Sequence, residues 1–421
     1  MNKKIFSNSV WMISEKVISI LGLVFVTSFV AKYVGPDIYG QIAFANSLFQ
    51  IIQIISLLGS DVLIFKRLSK KERSGVNLIV STYPIRLKVY LFCSFPILTY
   101  SYFTTATDSF IYIVAVCIAC LIYSLDVYNI FYDAKLKSKV NVFINIFGLC
   151  VSLFIRWCIA YFEMDPLYLC IPIVLTPLIP YFIRLLHFRM HNVFPTLRPK
   201  YKWKYKRYLL RIGFNFVITN ISVALYTRFS LLAIGLFLSK SYVGVYSVAV
   251  TLATAWIFIN SAITTSCLPM IFSEKDDRVC INKIAVVNRY IIFVSLPIML
   301  LFIFFGKWFI TYFYGADYID AYIPLVILTF TTMIGSLGTL SARYIAKHSG
   351  YTYLSRKMFI VAVFSIIVSC LLINSIGIIG AAVSSLLTEI FSLTICNYFF
   401  RNQAVLCIHL RTLGIYKNIT T

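Results

Sequence analysis

Residues 11–67 read WMISEKVISILGLVFVTSFVAKYVGPDIYGQIAFANSLFQIIQIISLLGSDVLIFKR. This stretch holds two apolar runs of at least the ~20 residues that a helix needs to cross a bilayer. The short turn between them, residues 32–37, carries a single basic residue, Lys32, whereas Lys66 and Arg67 close the second run. Because basic residues collect on the cytoplasmic side of a membrane protein, the stretch predicts a hairpin of two transmembrane helices that starts and ends in the cytoplasm.

The same alternation continues along the whole chain of 421 residues, of which 60% are hydrophobic and 13% charged. We predict twelve apolar spans, at residues 10–33, 38–65, 79–102, 109–132, 140–161, 166–186, 212–238, 243–272, 286–306, 318–342, 357–375 and 377–400. Thirty of the 38 basic residues lie at the termini, in the loops on the side of the termini, or at the span ends beside them, and three lie opposite: Lys32, Lys240 and Lys307. The pattern predicts a multi-pass membrane protein with both termini in the cytoplasm.

The spans divide into two groups of six around the longest polar stretch. The expected organisation is an N-terminal six-helix bundle (1–188), a basic cytoplasmic connector (189–211), a C-terminal six-helix bundle (212–400) and a cytoplasmic tail (401–421). Since six is even, both bundles enter the membrane from the same side, which predicts parallel repeats. A weak internal similarity between GPDIYGQIAFANSL at 35–48 and SKSYVGVYSVAVTL at 239–252 supports this prediction.

Several classes of function are disfavoured by the sequence. The net charge of +23 is spread over alternating short loops and offers no continuous surface for nucleic acid. The sequence lacks the HExxH, Walker and GxGxxG motifs, a serine nucleophile elbow and paired histidines at metal-ligand spacing. We therefore expect neither an enzyme nor a metal or cofactor site, and we expect energy to come from an ion gradient or a partner.

Five basic residues, Lys16, Arg86, Lys88, Arg156 and Arg228, lie inside apolar spans, where topology does not explain them. A charge near the centre of a membrane helix costs at least ~2.5–3.5 kcal/mol, so such residues usually face a water-filled interior. Arg86 and Lys88 are two residues apart, which places them on different faces of a helix. We predict that Arg86, Arg156 and Arg228 line a cationic cavity.

Acidic and polar residues within the spans supply the remaining candidates. Glu389 lies near mid-membrane and is the first candidate for proton coupling. Glu15 and Lys16 are expected to pair, and Asp61 and Asp126 are expected to form gating pairs with Lys66, Arg67 or Arg86. The predicted polar lining comprises Asn46, Gln50, Gln53, Asn215, Asn220 and Tyr226. Such side chains suit a sugar, and they also serve as contacts between membrane helices.

The opening of the chain resembles the Wzx-type O-antigen flippases of the polysaccharide transporter family. The similar residues are Trp11, Glu15, Lys16, Lys32, Tyr33, Gly35, Pro36, Asp37, Tyr39, Gly40, Leu58, Gly59, Asp61 and Arg67. Segments 256–269, 314–321 and 377–389 also resemble the family, so the similarity extends over essentially the whole chain. One departure is the stretch Lys32-Tyr33-Val34-Gly35, where the family commonly has Arg-Tyr-Leu-Gly.

The resemblance implies an all-α fold like that of MATE exporters and lipid II flippases, built from two six-helix bundles. It implies that the cargo is an undecaprenyl-pyrophosphate-linked oligosaccharide, carried across the bacterial inner membrane to the periplasmic leaflet. An O-antigen polymerase and a chain-length regulator are then candidate partners beside the membrane lipids. Two alternatives remain: a MATE-type antiporter for small cations, which should favour acidic cavity residues, and a multi-span enzyme such as an O-antigen polymerase.

Overall fold

The computed structural model describes residues 3–135, 137–191, 199–401 and 403–414, and within these ranges the chain forms helices and no strand. The helices are α1 (Lys3–Gly22), α2 (Ser28–Leu57), α3 (Ser60–Lys70), α4 (Glu72–Thr104), α5 (Thr107–Leu125), α6 (Tyr128–Ala134), α7 (Ser138–Tyr161), α8 (Cys170–His191), α9 (Pro199–Phe237), α10 (Lys240–Ala255), α11 (Ile257–Ser273), α12 (Asp277–Phe313), α13 (Tyr322–Lys347), α14 (Tyr351–Leu393), α15 (Ile395–Tyr398) and α16 (Ala404–Thr412). A short π-helical segment, Leu23–Thr27, joins α1 to α2.

Ten helical segments of the described chain are long and apolar enough to cross a membrane. Two of them, Ser14–Leu57 and Tyr351–Tyr398, have 44 and 48 residues, roughly twice what one crossing needs. Each overlaps two of the twelve predicted spans, so the predicted segments are distributed over ten continuous stretches. The all-helical, multi-pass membrane architecture is therefore confirmed, while the count of twelve helices is not exactly confirmed by the described chain.

A glycine with positive φ breaks each of the two long segments. Gly35 has φ +76° and ψ 171°, and Gly377 has φ +63° and ψ −138°. These conformations are costly for residues with a Cβ atom, so a glycine is required at the bend. Pro36 follows Gly35 directly and cannot donate the hydrogen bond that would continue the first helix.

The chain forms two compact units, residues 1–224 and 225–421, hereafter unit 1 and unit 2. In unit 1, buried residues of α2, α4 and α5 form one apolar cluster around Phe49 and Tyr90. In unit 2, α13 packs against α10, α11, α12 and α14, and Leu340 and Tyr344 lie in its core. Large apolar side chains such as Phe92, which is 81% exposed, point outward. An apolar exterior is expected where lipid rather than water surrounds the helices.

The predicted connector at 189–211 is partly helical. α8 continues to His191, and α9 begins at Pro199 and runs on into span seven. The two segments of the predicted internal repeat both open the second spanning helix of their half. Gly40 on α2 and Gly244 on α10 are the aligned glycines, and both are buried.

Candidate functional site

A network of charged and polar side chains connects several helices of unit 1. Asp126, at the end of α5, forms an ion pair with Arg184 of α8, and both side chains are less than 10% exposed. Arg184 also donates to the amide oxygen of Asn145 on α7. The Nδ2 of Asn145 donates in turn to Glu15 Oε1 on α1 over 2.9 Å. The network thus joins a guanidinium on α8 to carboxylate and amide groups from three other helices, α1, α5 and α7.

This network corrects two expected pairings. Asp126 pairs with Arg184 and not with Lys66, Arg67 or Arg86. Glu15 accepts from Asn145 while Lys16 is exposed, so the expected Glu15–Lys16 pair is not formed among the described side chains.

Asp61, in the first turn of α3, does not form its expected gating pair either. Its Oδ1 is buried and has no hydrogen-bond partner among the described residues. Arg67, an expected partner, instead donates to Ser74 over 3.3 Å and stacks its guanidinium 4.3 Å from the Tyr208 ring centroid. Lys66 is exposed. Asp61 therefore has no ion-pair partner within the described part of unit 1.

Arg86 on α4 is fully buried, whereas Lys88 is exposed, as their spacing predicts. Its Nη1 lies 3.4 Å from Thr82 Oγ1, one turn earlier on the same helix. Nε and Nη2 have no hydrogen-bond partner among the residues that the structure describes. Unit 1 therefore encloses this guanidinium, and contact with a cargo would require that unit to open.

The other two arginines of the predicted cationic cavity are more accessible. Arg156 on α7 is half-buried, and Tyr39 and Tyr123 are near enough to interact with it electrostatically. Arg228 on α9 is also half-buried. The structure places these two residues in different units, Arg156 in unit 1 and Arg228 in unit 2.

The predicted polar lining is divided between α2 and α9. On α2, Asn46 is exposed and accepts from Gln50 Nε2 over 3.1 Å, and Gln53 is half-buried one turn further on. On α9, Asn220 is half-buried, and the side chain of Asn215 lies outside the described part of the structure. Tyr226, also on α9, is half-buried and lies in unit 2.

Unit 2 contains a pocket of about 300 Å³ formed by α9, α10, α11, α13 and α14. Its wall includes Tyr226, Tyr246, Asn260 and Glu389 together with many serine and threonine hydroxyls. Glu389 is the charged residue of this lining; Arg228 is not part of it. The pocket is therefore a hydroxyl-rich space with one carboxylate.

Several of the hydroxyls are already bonded to their own helices. Thr388 donates to Ser384 O over 2.7 Å and Ser336 donates to Thr332 O over 2.8 Å. In such bonds the hydroxyl proton is used within the helix, and the oxygen lone pairs remain available to accept other hydrogen bonds. The wall is consequently better supplied with acceptors than with free donors.

Glu389 on α14 makes no hydrogen bond or ion pair with the described residues. Tyr226 is close enough to interact with it electrostatically. Gly335 of α13 faces the carboxylate, and a Cβ at that position would lie 3.5 Å from Glu389 Oε2. The absence of a side chain at Gly335 thus leaves room for the carboxylate beside α13.

Asn260 on α11 is a second residue of the pocket wall whose side-chain oxygen receives no hydrogen bond. Its Nδ2 donates to Ser336 over 3.1 Å and to Ser295 over 3.3 Å. Its Oδ1 is buried without a partner among the described residues. Asn260 Oδ1 is therefore an unsatisfied acceptor within the wall, and Glu389 is the carboxylate that the pocket offers to a cation or a donor-rich ligand.

Three of these functional candidates were missed by the sequence analysis. Arg184 and Lys357 were assigned to the cytoplasmic ends of spans because basic residues are common there. Lys357 is in fact buried and donates to Asn397 Oδ1 over 2.8 Å. Asn260 gave no signal, because a single asparagine in an apolar run is usual in membrane helices.

Comparison with solved structures shows the fold. The chain superposes on a multidrug resistance MATE family transporter of the MOP superfamily in its inward-facing conformation, with a TM-score of 0.70, 12% identity and 95% of each chain covered. It also matches the lipid II flippase MurJ in an inward closed conformation, with a TM-score of 0.62, 15% identity, and 97% of this chain and 91% of that chain covered. The Vibrio cholerae MATE transporter VcmN, in its bent form, gives a TM-score of 0.54 at 12% identity, with 98% of this chain and 99% of that chain covered.

No curated protein sequence matches the chain significantly. The family model described as "Polysaccharide biosynthesis protein" matches residues 29–323, which include the broken α2 and the helices that carry Asp126, Arg184 and Arg228. The chain is therefore a membrane-spanning member of the polysaccharide biosynthesis protein family with the fold of MATE transporters and of MurJ.

Proposed function

We propose that this protein is a flippase that moves an undecaprenyl-pyrophosphate-linked O-antigen repeat unit from the cytoplasmic to the periplasmic leaflet of the bacterial inner membrane by alternating access. One observation carries the proposal: a polysaccharide biosynthesis family model covers residues 29–323 of a chain that has a transporter fold. A polysaccharide pathway needs its lipid-linked intermediates carried across the membrane, and a chain of this fold suits that step better than a chemical one.

The cationic side chains suit the charge of such a cargo. A pyrophosphate needs compensation when it leaves water, and a guanidinium can bind two of its oxygens at once. Arg156 and Arg228, which are half-buried, are the proposed contacts. Arg86 is fully enclosed in unit 1, so its proposed role depends on a rearrangement of α4. The glycan would bond to polar side chains such as Asn46, Gln50 and Gln53, while the lipid tail stays in the bilayer.

Glu389 is the proposed site of ion coupling. Its carboxylate faces an internal pocket and has no hydrogen-bond or ion-pair partner among the described residues, so binding of a cation would change the charge of the pocket by one unit. A bound ion can shift a conformational equilibrium only if it binds one state more tightly than the other. A pocket formed by five helices is suited to this, because a shift of any one helix alters its shape.

A second candidate function is export of a small organic cation. The single carboxylate and the acceptor-rich wall of the unit 2 pocket favour it, because they complement a donor-rich cation. This candidate predicts that loss of the protein sensitises cells to cationic compounds and leaves surface polysaccharide intact. The flippase proposal predicts the reverse.

The test is complementation of a deletion strain, with surface polysaccharide examined on gels and membrane levels of the protein measured by an epitope tag. We expect Arg228→Ala and Arg156→Ala to reduce surface polysaccharide at least tenfold at normal protein level, and Arg→Lys at each position to restore part of it. Lys88→Ala is the matched control, because Lys88 is an exposed basic residue of a spanning helix. Full polysaccharide in both alanine variants would overturn the cargo-binding assignment.

The coupling role of Glu389 has a separate readout. In vesicles, transport by the wild type should depend on an imposed ion gradient, and Glu389→Gln should remove that dependence. Thr388→Val, which changes a neighbouring residue of the pocket wall without changing charge, serves as the control. An unchanged gradient dependence in Glu389→Gln would exclude this residue from coupling.

A further inference from the structure

The two arms of α14 and the short α15 form an antiparallel hairpin within unit 2. The helix bends at Ile376 and Gly377. On either side of the bend the Oγ atoms of Ser369 and Ser384 lie 3.0 Å apart, and the rings of Phe364 and Phe391 stack with centroids 4.2 Å apart. These contacts align the two arms in a fixed register.

Lys357 makes a further contact in the same register, toward the cytoplasmic end of the hairpin. Its Nζ donates to Asn397 Oδ1 over 2.8 Å, and the side chain is buried, with the residue 4% exposed. Glu389 lies eight residues before Asn397 on the opposite arm. At 1.5 Å per residue that separation is about 12 Å along the hairpin. A buried cation and an unpaired carboxylate therefore lie about two helical turns apart in the same element.

The other titratable groups around Lys357 do not balance its charge. Besides Glu389, they are Cys396 on α15 and His409 on α16. A thiol is ordinarily neutral at physiological pH. His409 is also neutral there, since burial lowers its pKa to about 4. Glu389 is thus the acidic partner whose ionised form offsets the ammonium of Lys357.

We propose that Lys357 is the counter-charge of Glu389 and that it keeps sodium off this carboxylate, so that the proton is the ion to which the pocket responds. The inference rests on the proposed coupling role of Glu389 and names its ion. If the charges are separated by about this axial rise of 12 Å, an effective dielectric constant of about 20 gives each charge about a tenfold effect on the other's affinity for a further cation.

This electrostatic effect acts on both cations but has different consequences for them. A proton forms a covalent O–H bond with a Glu389 oxygen, leaves a neutral carboxyl group, and is returned to water when the carboxyl ionises again. That bond still forms when the affinity of the Glu389 carboxylate for a proton is tenfold lower. Sodium is held by charge and oxygen ligands alone, and in the pocket lining a single formal negative charge attracts it. The same tenfold loss acts directly on the electrostatic attraction that holds sodium, so Lys357 disfavours sodium at this carboxylate.

The test uses purified full-length protein in detergent micelles and compares thermal unfolding in NaCl with that in choline chloride at the same ionic strength, near pH 8. A ligand that binds the folded state raises its stability with ligand concentration. We expect no sodium-specific stabilisation of the wild type. Lys357→Met should bind sodium about tenfold more tightly and unfold at a higher temperature in NaCl than in choline chloride, whereas Lys357→Arg should behave as the wild type does.

A second variant keeps the test decisive if Lys357→Met does not fold. Asn397→Asp places a carboxylate beside Lys357 and neutralises its charge with the lysine still present, so it should show the same gain. Adding Glu389→Gln to either variant should abolish the response. A sodium-specific stabilisation of the wild type that Glu389→Gln removes would overturn the proposal, as would the lack of any sodium response in both charge-neutralising variants. The assay needs no cargo, so its outcome is independent of the polysaccharide test.

Discussion

The two units hold their buried charges differently. In unit 1, Asp126 and Arg184 form an ion pair that is extended through Asn145 to Glu15. In unit 2, Glu389 faces a pocket, and the nearest compensating charge, Lys357, is bonded to Asn397 instead. A paired buried charge contributes mainly to one packed arrangement of helices, whereas an unpaired one facing a cavity is available to a ligand. The contrast predicts that substitutions of Asp126 or Arg184 affect folding and that substitutions at Glu389 affect transport.

The largest expected effect is that of Arg184→Ala. The substitution leaves Asp126 buried without its partner and should destabilise the protein by about 3–5 kcal/mol. Thermal unfolding in detergent micelles and the amount of protein in membranes would measure this loss. The exposed pair Lys135–Glu72 provides the control, since Lys135→Ala should cost less than about 1 kcal/mol. Equal effects of the two substitutions would show that the unit 1 network is not a structural element.

His409 provides a second test, in unit 2, through the dependence of stability on pH. Its ring bonds to the Tyr398 hydroxyl over 3.1 Å and approaches Ser341 Oγ at 3.4 Å, and burial lowers its pKa from 6.5 to about 4. The folded state therefore disfavours the imidazolium. The contribution of His409 to the free energy of unfolding should be constant above pH 6.5 and should fall by about 3 kcal/mol as the pH drops to about 4.

Unfolding of the wild type and of His409→Gln across pH 4–7 would measure this contribution. Glutamine can hydrogen-bond but does not titrate in this range, so the loss attributable to position 409 should disappear in the variant. Parallel pH profiles for the two proteins would contradict the prediction.

The two helix breaks should respond alike, although they lie in different units. Gly35→Ala and Gly377→Ala each place a Cβ on a backbone of positive φ, which should cost about 1–3 kcal/mol. Neither new Cβ approaches another atom closer than 4.0 Å, so the cost comes from the backbone alone. The measurement is again thermal unfolding, with Gly338→Ala on α13 as a helical control that has similar space. A loss at one break without the other would mean that the two bends differ in strain.

The smallest expected effect on stability is that of Glu389→Gln. Replacing the carboxylate by a neutral amide of similar shape should cost no more than about 1.4 kcal/mol, the size of its long-range interaction with Lys357, because no hydrogen-bonded ion pair is broken. Thermal unfolding near neutral pH measures it, beside the transport defect proposed above. A loss as large as that of Arg184→Ala would erase the difference between the two units.

Sequence patterns predicted the general architecture well because membrane insertion depends on local properties. Runs of apolar residues such as 109–132 and the alternation of basic loops are sufficient to indicate spanning helices. The break between the first and second predicted spans falls within the predicted turn at 32–37, where Gly35 leaves the helical conformation. The roles of the buried charges were harder to predict. Arg184 resembles an ordinary loop-flanking arginine until the fold places it beside Asp126.

The sequence by itself determined that this is a multi-pass helical membrane protein, and its resemblance to polysaccharide transporters indicated the family. These features follow from composition along the chain, because every span must satisfy its backbone hydrogen bonds within the membrane. Only the tertiary structure decided which charges are paired. Arg184 and Asp126 are 58 residues apart in sequence, and Lys357 and Asn397 are 40 apart. Electrostatic interactions depend on distance in space, so the register of the α14 hairpin and the packing of α8 on α5 determine which charged groups remain available for function.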